Sequence, residues 1–419
     1  MQCRSAGGGG DDVLRLAIAA CLVAACHSSK AAQQLDAEVD ALPPPGPNAV
    51  MLSVATSAPP DLIMYRDGTG PWLVPELGSS SYVLHVTNDY EWLVVCAGPS
   101  GFDAEIEGKT FADGAHQVAD CYRSPVGPNT VDITGQMVQS GTVWMQNRAQ
   151  SSTADWNFTL PVNPGTHNLV AYDSDHMLIM RSINVTGPMA LPTVDVVLNG
   201  TAMTPVTLTL NNIGSDVVTS ELSLIFAGED AAEFSGTSTT LMTPPQSLLA
   251  NGETEFLMLT ATGATSQLQA ANFFDGTQTT FSMMAPLTNV DYSETNGTIA
   301  ATWANLPTFE SLRLRVSAGS AGTLYQAISV TKSWVAATGA TSLSFGPLPS
   351  SYNPAWTIDP AGPYVRDLQA ITFDATSGTV YYSGVPQGVN GATPRLAGVH
   401  TSISVAAARG HRAPCARSS

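Results

Sequence analysis

The chain has 419 residues, which is enough for roughly two to four domains of ordinary size. Its 34 acidic residues outnumber its 16 basic residues, and the formal net charge at pH 7 is −18. This charge argues against nucleic acid as a partner and against electrostatic adhesion to anionic lipid, because both need a basic surface.

The first predicted element is an export signal over residues 1–25. Arg15 precedes a ten-residue apolar stretch from Leu16 to Ala25. This order of parts is typical of a signal peptide, and the stretch is too short to span a bilayer. The Gly-rich residues before Val13 are a poor start for such a signal, so we expect translation to begin near Val13.

The apolar stretch ends in Val-Ala-Ala-Cys at Cys26, which resembles the bacterial lipoprotein box. The resemblance implies cleavage before Cys26 and acylation of that cysteine, and two or more acyl chains hold a protein stably at a membrane. Cys21 fits the same box but would leave an apolar region of only five residues. The alternative interpretation is a chance match within an ordinary signal peptide or a buried helix.

Residues 26–47 are predicted to form a disordered tether that is rich in Ala, Asp and Pro and has few large apolar side chains. His27 and Ser28 follow Cys26, whereas lipoproteins retained in the inner membrane often carry Asp there, so the resemblance points to the outer membrane. No later apolar run approaches the roughly 18 residues that span a bilayer. The lipid is therefore the only membrane attachment that the sequence predicts.

Residues 48–124 are predicted to form a first β-sandwich. The run SYVLHVTNDYEWLVVC alternates with a period of two about a central Asn-Asp and predicts a β-hairpin, with Trp92 and Cys96 on one face. Trp72 follows turn glycines in DGTGPW and is the candidate for an exposed, ligand-binding aromatic side chain. DGTGPW followed by this hairpin resembles a module of uncharacterised lipoproteins from myxobacteria-like bacteria, and the resemblance implies no activity.

Cysteine usage fits an exported protein. Three cysteines remain after the signal and the lipidated residue, namely Cys96, Cys121 and Cys415. An oxidising compartment favours a disulfide between Cys96 and Cys121. A zinc site is the weaker alternative, because no CxxC pair or HxxxH spacing accompanies these cysteines. Cys415 falls in a predicted tail over residues 390–419.

The second module is predicted over residues 125–200, where VDITGQM, WNFTLPV, RSINVTG and TVDVVL read as successive strands. Pro164, Gly165 and Thr166 form the expected turn into an outgoing strand. This arrangement resembles the carboxypeptidase-regulatory or transthyretin-like β-sandwich. Such modules are more often stalks and packing partners than active sites, so the resemblance implies architecture and no chemistry.

The strongest polar cluster in the sequence is AYDSDHM, which contains Asp173, Asp175 and His176. Two carboxylates and backbone carbonyls are a start for a calcium site. Asp and Ser side chains also serve turns by bonding to their own backbone, and the full EF-hand pattern is missing. The turn interpretation is therefore favoured over the metal site.

Alternating segments continue in a third β-sandwich over residues 201–288 and a fourth β module over residues 289–389. Trp303 followed by Pro307 loosely resembles the second strand of a fibronectin type III domain, and Trp303 is expected in the core. The run VRDLQAI in the fourth module is compatible with a turn of helix. The predicted fold class is thus all-β, with tandem antiparallel sandwiches that are immunoglobulin-, transthyretin- or fibronectin III-like.

Motifs for catalysis are missing from the sequence: there is no GxSxG, HExxH, P-loop or dinucleotide fingerprint, and the seven histidines are scattered. We therefore expect no enzyme activity, no cofactor and no nucleic-acid partner. The sequence predicts a lipid-anchored envelope protein with a binding or structural β ectodomain, whose partner is an envelope protein or polysaccharide. The alternatives are an exported hydrolase acting on a surface polymer, with its site in a cleft between sandwiches, and a carbohydrate-binding protein.

Overall fold

The computed structural model describes residues 48–392, with short gaps at 56–58, 79–80, 99–100, 121–129, 147, 153–155, 215, 227–228, 237–238, 251–252, 275, 296–297 and 319–323. The predicted signal and tether and the predicted tail from residue 393 onward lie outside the described residues, and so do Cys26, Cys121 and Cys415. The structure is mostly β, with 61% strand and 7% helix, which confirms the all-β fold class.

Short strands dominate every segment of the described chain. The first segment contains β1 (Ala49–Ala55), β2 (Leu62–Asp67), β3 (Glu76–Leu77), β4 (Tyr82–His85), β5 (Asp89–Gly98), β6 (Gly101–Thr110), a 3₁₀ turn (Phe111–Asp113) and β7 (His116–Asp120). The second contains β8 (Val131–Gln136), β9 (Gly141–Met145), β10 (Arg148–Ser152), β11 (Asn157–Val162), β12 (Gly165–Tyr172), β13 (His176–Val185), β14 (Met189–Ala190), helix α1 (Val196–Asn199) and β15 (Thr201–Ala202).

The remaining elements lie in the third and fourth predicted segments. The third contains β16 (Thr204–Thr207), β17 (Thr209–Asn211), β18 (Val217–Phe226), β19 (Glu229–Gly236), β20 (Thr240–Thr243), a 3₁₀ turn (Gln246–Leu248), β21 (Thr254–Thr262), β22 (Gln267–Phe274) and β23 (Thr280–Ser282). The fourth contains β24 (Thr288–Thr295), β25 (Thr298–Asn305), β26 (Ser311–Ala318), β27 (Leu324–Thr331), helix α2 (Lys332–Thr338), β28 (Ser342–Ser344), a 3₁₀ turn (Pro354–Trp356), β29 (Tyr364–Asp374) and β30 (Thr379–Val389).

One sheet of eleven strands connects three of these segments. Its order is β19-β18-β21-β22-β30-β29-β26-β27-β6-β5-β2, and β6 with β27 is its one parallel pair. The observed arrangement therefore differs from a row of separate sandwiches, because strands of the first, third and fourth segments share this central sheet. The predicted boundaries at residues 124, 200 and 288 stay predictions.

Smaller sheets cover the central sheet on both faces. On one face, the sheet β24-β25-β28 and helix α2 enclose a core that includes Leu312 and Ile328. The sheets β16-β20 and β17-β23 cover the β18–β22 end of the same face, over Leu257 and Leu268. At the other end, the sheet β3-β4-β1-β7 covers the opposite face over a core that includes Trp92.

The second segment forms a sandwich of its own, between the sheets β10-β9-β12-β13-β15 and β11-β8-β14. Gly135 lies directly under Phe158, and a Cβ there would come within 2.3 Å of the Phe158 ring, so the position requires glycine. Arg181 forms an ion pair with Glu253 and donates to the Leu248 carbonyl at 2.6 Å. These contacts hold the sandwich to the loop before β21.

The predicted hairpin SYVLHV…EWLVVC is wrong, because its two runs do not pair with each other. The alternation of side chains between the two faces of each run is as predicted. β4 pairs with β1, whereas β5 pairs with β2 and β6, so the two runs lie in facing sheets. Leu84, Trp92 and Cys96 share one core between those sheets. Leu93 is buried in the core on the other face, and β5 is an interior strand of the central sheet that is paired along both edges.

Two runs differ from their predicted secondary structure. TVDVVL forms no continuous strand: Val194 makes an isolated bridge to Met137, and α1 begins at Val196, where Asp195 caps it by accepting a hydrogen bond from the Leu198 N–H at 2.9 Å. VRDLQAI is the middle of β29 and contains no helical turn, since Leu368 and Ala370 face the apolar core while Asp367 faces the opposite side of the sheet.

The face of the central sheet opposite the Leu312 core carries buried charges, which we call the ionic row. Its members are Glu105, Glu107 and Lys109 on β6, Arg313 and Arg315 on β26, and Asp367 on β29. Arg313 donates to Glu105 across the intervening strand β27 at 3.3 Å and to Ser329 at 2.8 Å. This reach is possible because β27 presents the small side chains of Ala327 and Ser329 on that face.

Arg315 and Asp367 form the most buried pair of the ionic row. They lie directly opposite each other in the β26–β29 register and are hydrogen-bonded, and Asp367 is 0% exposed. Burial raises the pKa of Asp367, and the adjacent Arg315 guanidinium opposes that rise. Removal of one partner of a buried pair costs far more than removal of both, because it leaves an uncompensated charge.

We expect Arg315→Met to lower the free energy of unfolding by about 3–5 kcal/mol at neutral pH. The double variant Arg315→Met/Asp367→Leu should recover most of that loss, and Arg366→Met should cost under about 1 kcal/mol because its arginine is more exposed. Denaturant unfolding of the full chain measures all three values. A double variant as unstable as Arg315→Met would contradict this account.

The same variants give a pH dependence with a definite sign. A carboxyl whose pKa is raised on folding stabilises the fold at acid pH, and this contribution is lost as pH rises through the raised pKa. In Arg315→Met, Asp367 takes up a proton on acidification and the unpaired charge disappears. The loss of unfolding free energy in Arg315→Met, relative to the wild type, should therefore be smaller at acid pH than at alkaline pH.

Candidate functional site

A cleft opens on the Leu312 face of the central sheet, between two of the layers that cover it. The layer with β17 and β23 contributes Ser282, Met284 and Ala285, and the loop between β25 and β26 contributes Pro307 and Thr308. Met284 packs against the cores under both layers, so the cleft lies at their boundary. Its volume is about 360 Å³, which is within the usual range of ligand pockets. We call it the interlayer cleft.

The β29–β30 hairpin supplies the floor of the interlayer cleft, with Thr372, Phe373, Asp374 and Tyr381. Thr372 lies directly opposite Tyr381 in the antiparallel register, and Asp374 follows two residues later on the same side. Phe373 alternates with them and packs in the small apolar cluster on the other face of the sheet. Three polar side chains of one hairpin face therefore point toward the cleft.

Asp374 is held in place by the turn that follows β29. Its Oδ1 accepts the Thr376 N–H at 2.9 Å and its Oδ2 accepts the Ser377 hydroxyl at 2.7 Å. The turn closes through the Gly378 N–H to the Asp374 carbonyl at 2.8 Å, and Gly378 has a φ of 71°, which glycine adopts without strain. The sequence DATSG thus fixes the direction of this carboxylate.

The hydrogen bonds at Asp374 also set its charge. The Ser377 hydroxyl holds the pKa of this carboxyl below its ordinary value of 3.8, partial burial opposes the shift, and the Thr376 and Ser377 N–H groups add to it. None of the nine residues that line the cleft is basic, and Asp374 is the one carboxylate among them. The site therefore presents a single fixed negative charge beside hydroxyl groups and one aromatic ring.

The lining supplies groups that can form hydrogen bonds to a small polar ligand. Glycoside hydrolysis uses two carboxyl groups on opposite sides of the bond, and acyl transfer uses a nucleophile with an adjacent base. The cleft lining has one carboxylate and no histidine, lysine or cysteine. It can accept and donate hydrogen bonds, and it can exclude water from one side of a small ligand.

Trp72, the aromatic candidate from the sequence, is half-buried in the structure. Its indole N–H donates to the Pro347 carbonyl at 3.0 Å, and the Arg66 guanidinium lies 4.9 Å from its ring centroid. Arg66 is in turn paired with Glu91 on β5. These contacts fix the loop after β2, and a ligand-binding role for Trp72 stays a prediction.

Asp173, Asp175 and His176 lie in the tight turn between β12 and β13. Asp173 Oδ1 accepts the backbone N–H groups of Asp175 and His176, both at 2.7 Å. The Asp175 carboxylate accepts the hydroxyl of Ser174 at 2.9 Å. Among the described residues, no group of three or more His, Cys, Asp or Glu side chains is placed to hold a metal ion.

Cys96 is 3% exposed and belongs to the core between β5 and the sheet β3-β4-β1-β7. Its pairing with Cys121 stays a prediction, because Cys121 lies outside the described residues. The lipidation site Cys26 lies outside them as well. Within the described part of the chain, no helix has the length and apolar character needed to cross a bilayer.

Comparison with protein-family models and with curated protein sequences gives no match to this chain.

Sequence reasoning missed the interlayer cleft. Its residues come from three stretches, 282–285, 307–308 and 372–381, and only the central sheet brings them together. The one local signal was DATSG, a turn sequence that directs an aspartate into a fixed position.

The turn interpretation of Asp173 makes a direct prediction. Asp173→Ala should lower the free energy of unfolding by about 1 kcal/mol, because two backbone N–H groups lose their acceptor. The matched variant Asp175→Ala should be near neutral, and millimolar calcium should shift the melting temperature of neither variant nor of the wild type. A calcium-dependent rise in the wild type that Asp173→Ala abolishes would contradict the turn interpretation.

Proposed function

We propose that this chain is a lipid-anchored protein of the bacterial outer membrane, with a β ectodomain that binds a ligand without chemical conversion. Acyl chains on Cys26 hold it at the membrane in this proposal, and the segment before β1 spaces the folded body from the lipid. Ala49 lies 23 positions after Cys26 in the sequence. A flexible chain of that length spans roughly 25 Å on average, and at full extension it reaches about 80 Å.

The chemistry of the interlayer cleft is the observation that carries the binding function. It offers one ionised carboxylate, three hydroxyl side chains and an aromatic ring, and it lies at the boundary of two layers, where ligand sites commonly occur. A hydrolase in this cleft would need a second carboxylate or a nucleophile and base, which its lining does not supply. These features favour binding over the exported-hydrolase alternative.

A disulfide between Cys96 and Cys121 is part of the proposal. Cys96 shares its core with Ala119 on β7. Cys121 follows Ala119 by two residues, the spacing that keeps side chains on one face of a strand. Peptide mapping without a reducing agent distinguishes this pair from any pair with Cys415.

The anchor is tested by growth of the native host with a labelled fatty acid, followed by membrane fractionation. Cys26→Ala should abolish both the label and the membrane association. Cys21→Ala is the matched control, since it changes the other cysteine that fits the box, and it should leave both unchanged. Loss of label with retained membrane association, or labelled Cys26→Ala protein, would contradict the proposed anchor.

A further inference from the structure

We propose that the interlayer cleft binds one unit of a neutral saccharide, through Asp374, Thr372, Thr308 and the ring of Tyr381. This inference rests on the proposed binding function and names the chemical class of the ligand. Four properties of the cleft support it: its charge, its hydrogen-bonding groups, its size and its accessibility.

The charge of the cleft excludes two ligand classes. A phosphate or carboxylate ligand would face Asp374 with no basic side chain in the lining to compensate it. A wholly apolar ligand would strip water from that carboxylate without offering a hydrogen bond in return, which is costly. The ligand is therefore polar and either neutral or cationic.

The hydroxyl groups of the lining favour a neutral ligand over a cationic one. Within the described part of the chain, the Thr308 and Thr372 side chains form no hydrogen bond to protein groups, and each hydroxyl can both donate and accept. An ammonium ligand has donors only, so it would leave the donor capacity of both threonines unused. A polyol offers donors to Asp374 and both kinds of group to the threonines.

The aromatic ring and the carboxylate are arranged for a sugar ring. Tyr381 lies beside Thr372 on the floor and is 8% exposed, so only the part of its ring that lines the cleft can contact the C–H groups of a pyranose. Asp374 accepts the Thr376 N–H and the Ser377 hydroxyl from its own turn, and its carboxylate is only partly buried, so it remains accessible to a ligand from the cleft. Neighbouring sugar hydroxyls could therefore share this one carboxylate.

The size and the rim also fit a saccharide. A volume of about 360 Å³ corresponds to roughly a dozen water molecules at liquid density, and a hexose has twelve carbon and oxygen atoms. Ser282, Ala285 and Thr308 on the rim are exposed. A sugar in the cleft can therefore remain connected to a longer polymer outside it.

The test uses the full lipidated chain in a detergent without a sugar headgroup. Saturation-transfer NMR is recorded with glucose, N-acetylglucosamine, cellobiose, N,N′-diacetylchitobiose and oligosaccharides released from the host envelope, each at millimolar concentration. Tetramethylammonium and inorganic phosphate are the cationic and anionic comparison probes. We expect a signal from at least one saccharide and none from the two ions.

Variants locate the site. Asp374→Asn should weaken saccharide binding about tenfold, which is about 1.4 kcal/mol. Thr372→Val, which keeps the shape and leaves the turn intact, should weaken it as well. Asp359→Asn is the matched control, because Asp359 accepts an N–H two residues on at 2.9 Å in the same way but lies outside the cleft. Melting temperatures establish that each variant is folded.

Three results would overturn the inference: no saccharide signal from the wild type, binding of tetramethylammonium instead, or equal binding by Asp374→Asn, Thr372→Val and Asp359→Asn. Failure here is distinguishable from failure of the proposed anchor. Saccharide binding does not depend on acylation of Cys26. A labelled, membrane-bound protein that binds no saccharide would contradict this inference and leave the proposed anchor intact.

Discussion

The parallel pairing of β6 with β27 is the constraint on which the rest of the structure depends. It joins strands that are more than two hundred residues apart in sequence. Apolar side chains such as Ile106 and Ile328 seal one face of this junction. On the other face, Arg313 crosses the small side chains of β27 to reach Glu105. Charge and apolar packing therefore specify the same register, because a slip by one residue would exchange the two faces.

The interlayer cleft is a consequence of this central sheet. Because β30 pairs with β22 on one side and β29 on the other, two covering layers that belong to different segments meet over the β29–β30 hairpin. They do not close completely where Met284 contacts both cores. The cleft thus combines a rigid floor, whose carboxylate is fixed by its own turn, with an exposed rim. Such a site is preorganised, which would lower the cost of ordering side chains in the proposed binding of a ligand.

The sequence predicted the elements much better than their partners. Alternation identified β5 as a strand, because successive side chains alternate between two environments. Alternation does not identify which strands pair. It favours a hairpin between β5 and the preceding run, β4, whereas the observed neighbours of β5 are β2 and β6. Arg313, Arg315 and Asp367 look like solvent-facing residues in the sequence, and only their mutual neutralisation across strands permits burial. The cleft could not be predicted from the sequence for a related reason. Its lining residues come from stretches that are far apart in the chain, and only those of the β29–β30 hairpin are close in sequence.

The most direct test of this account is native-state hydrogen exchange of the full chain, followed by mass spectrometry of peptides from β6 and β27. If the parallel junction unites the body, the amides of both strands should open together, with the same free energy and the same denaturant dependence. Early exchange of β5 and β6 while β27 remains protected would contradict it. The first segment would then be a separate module that only lies beside the last.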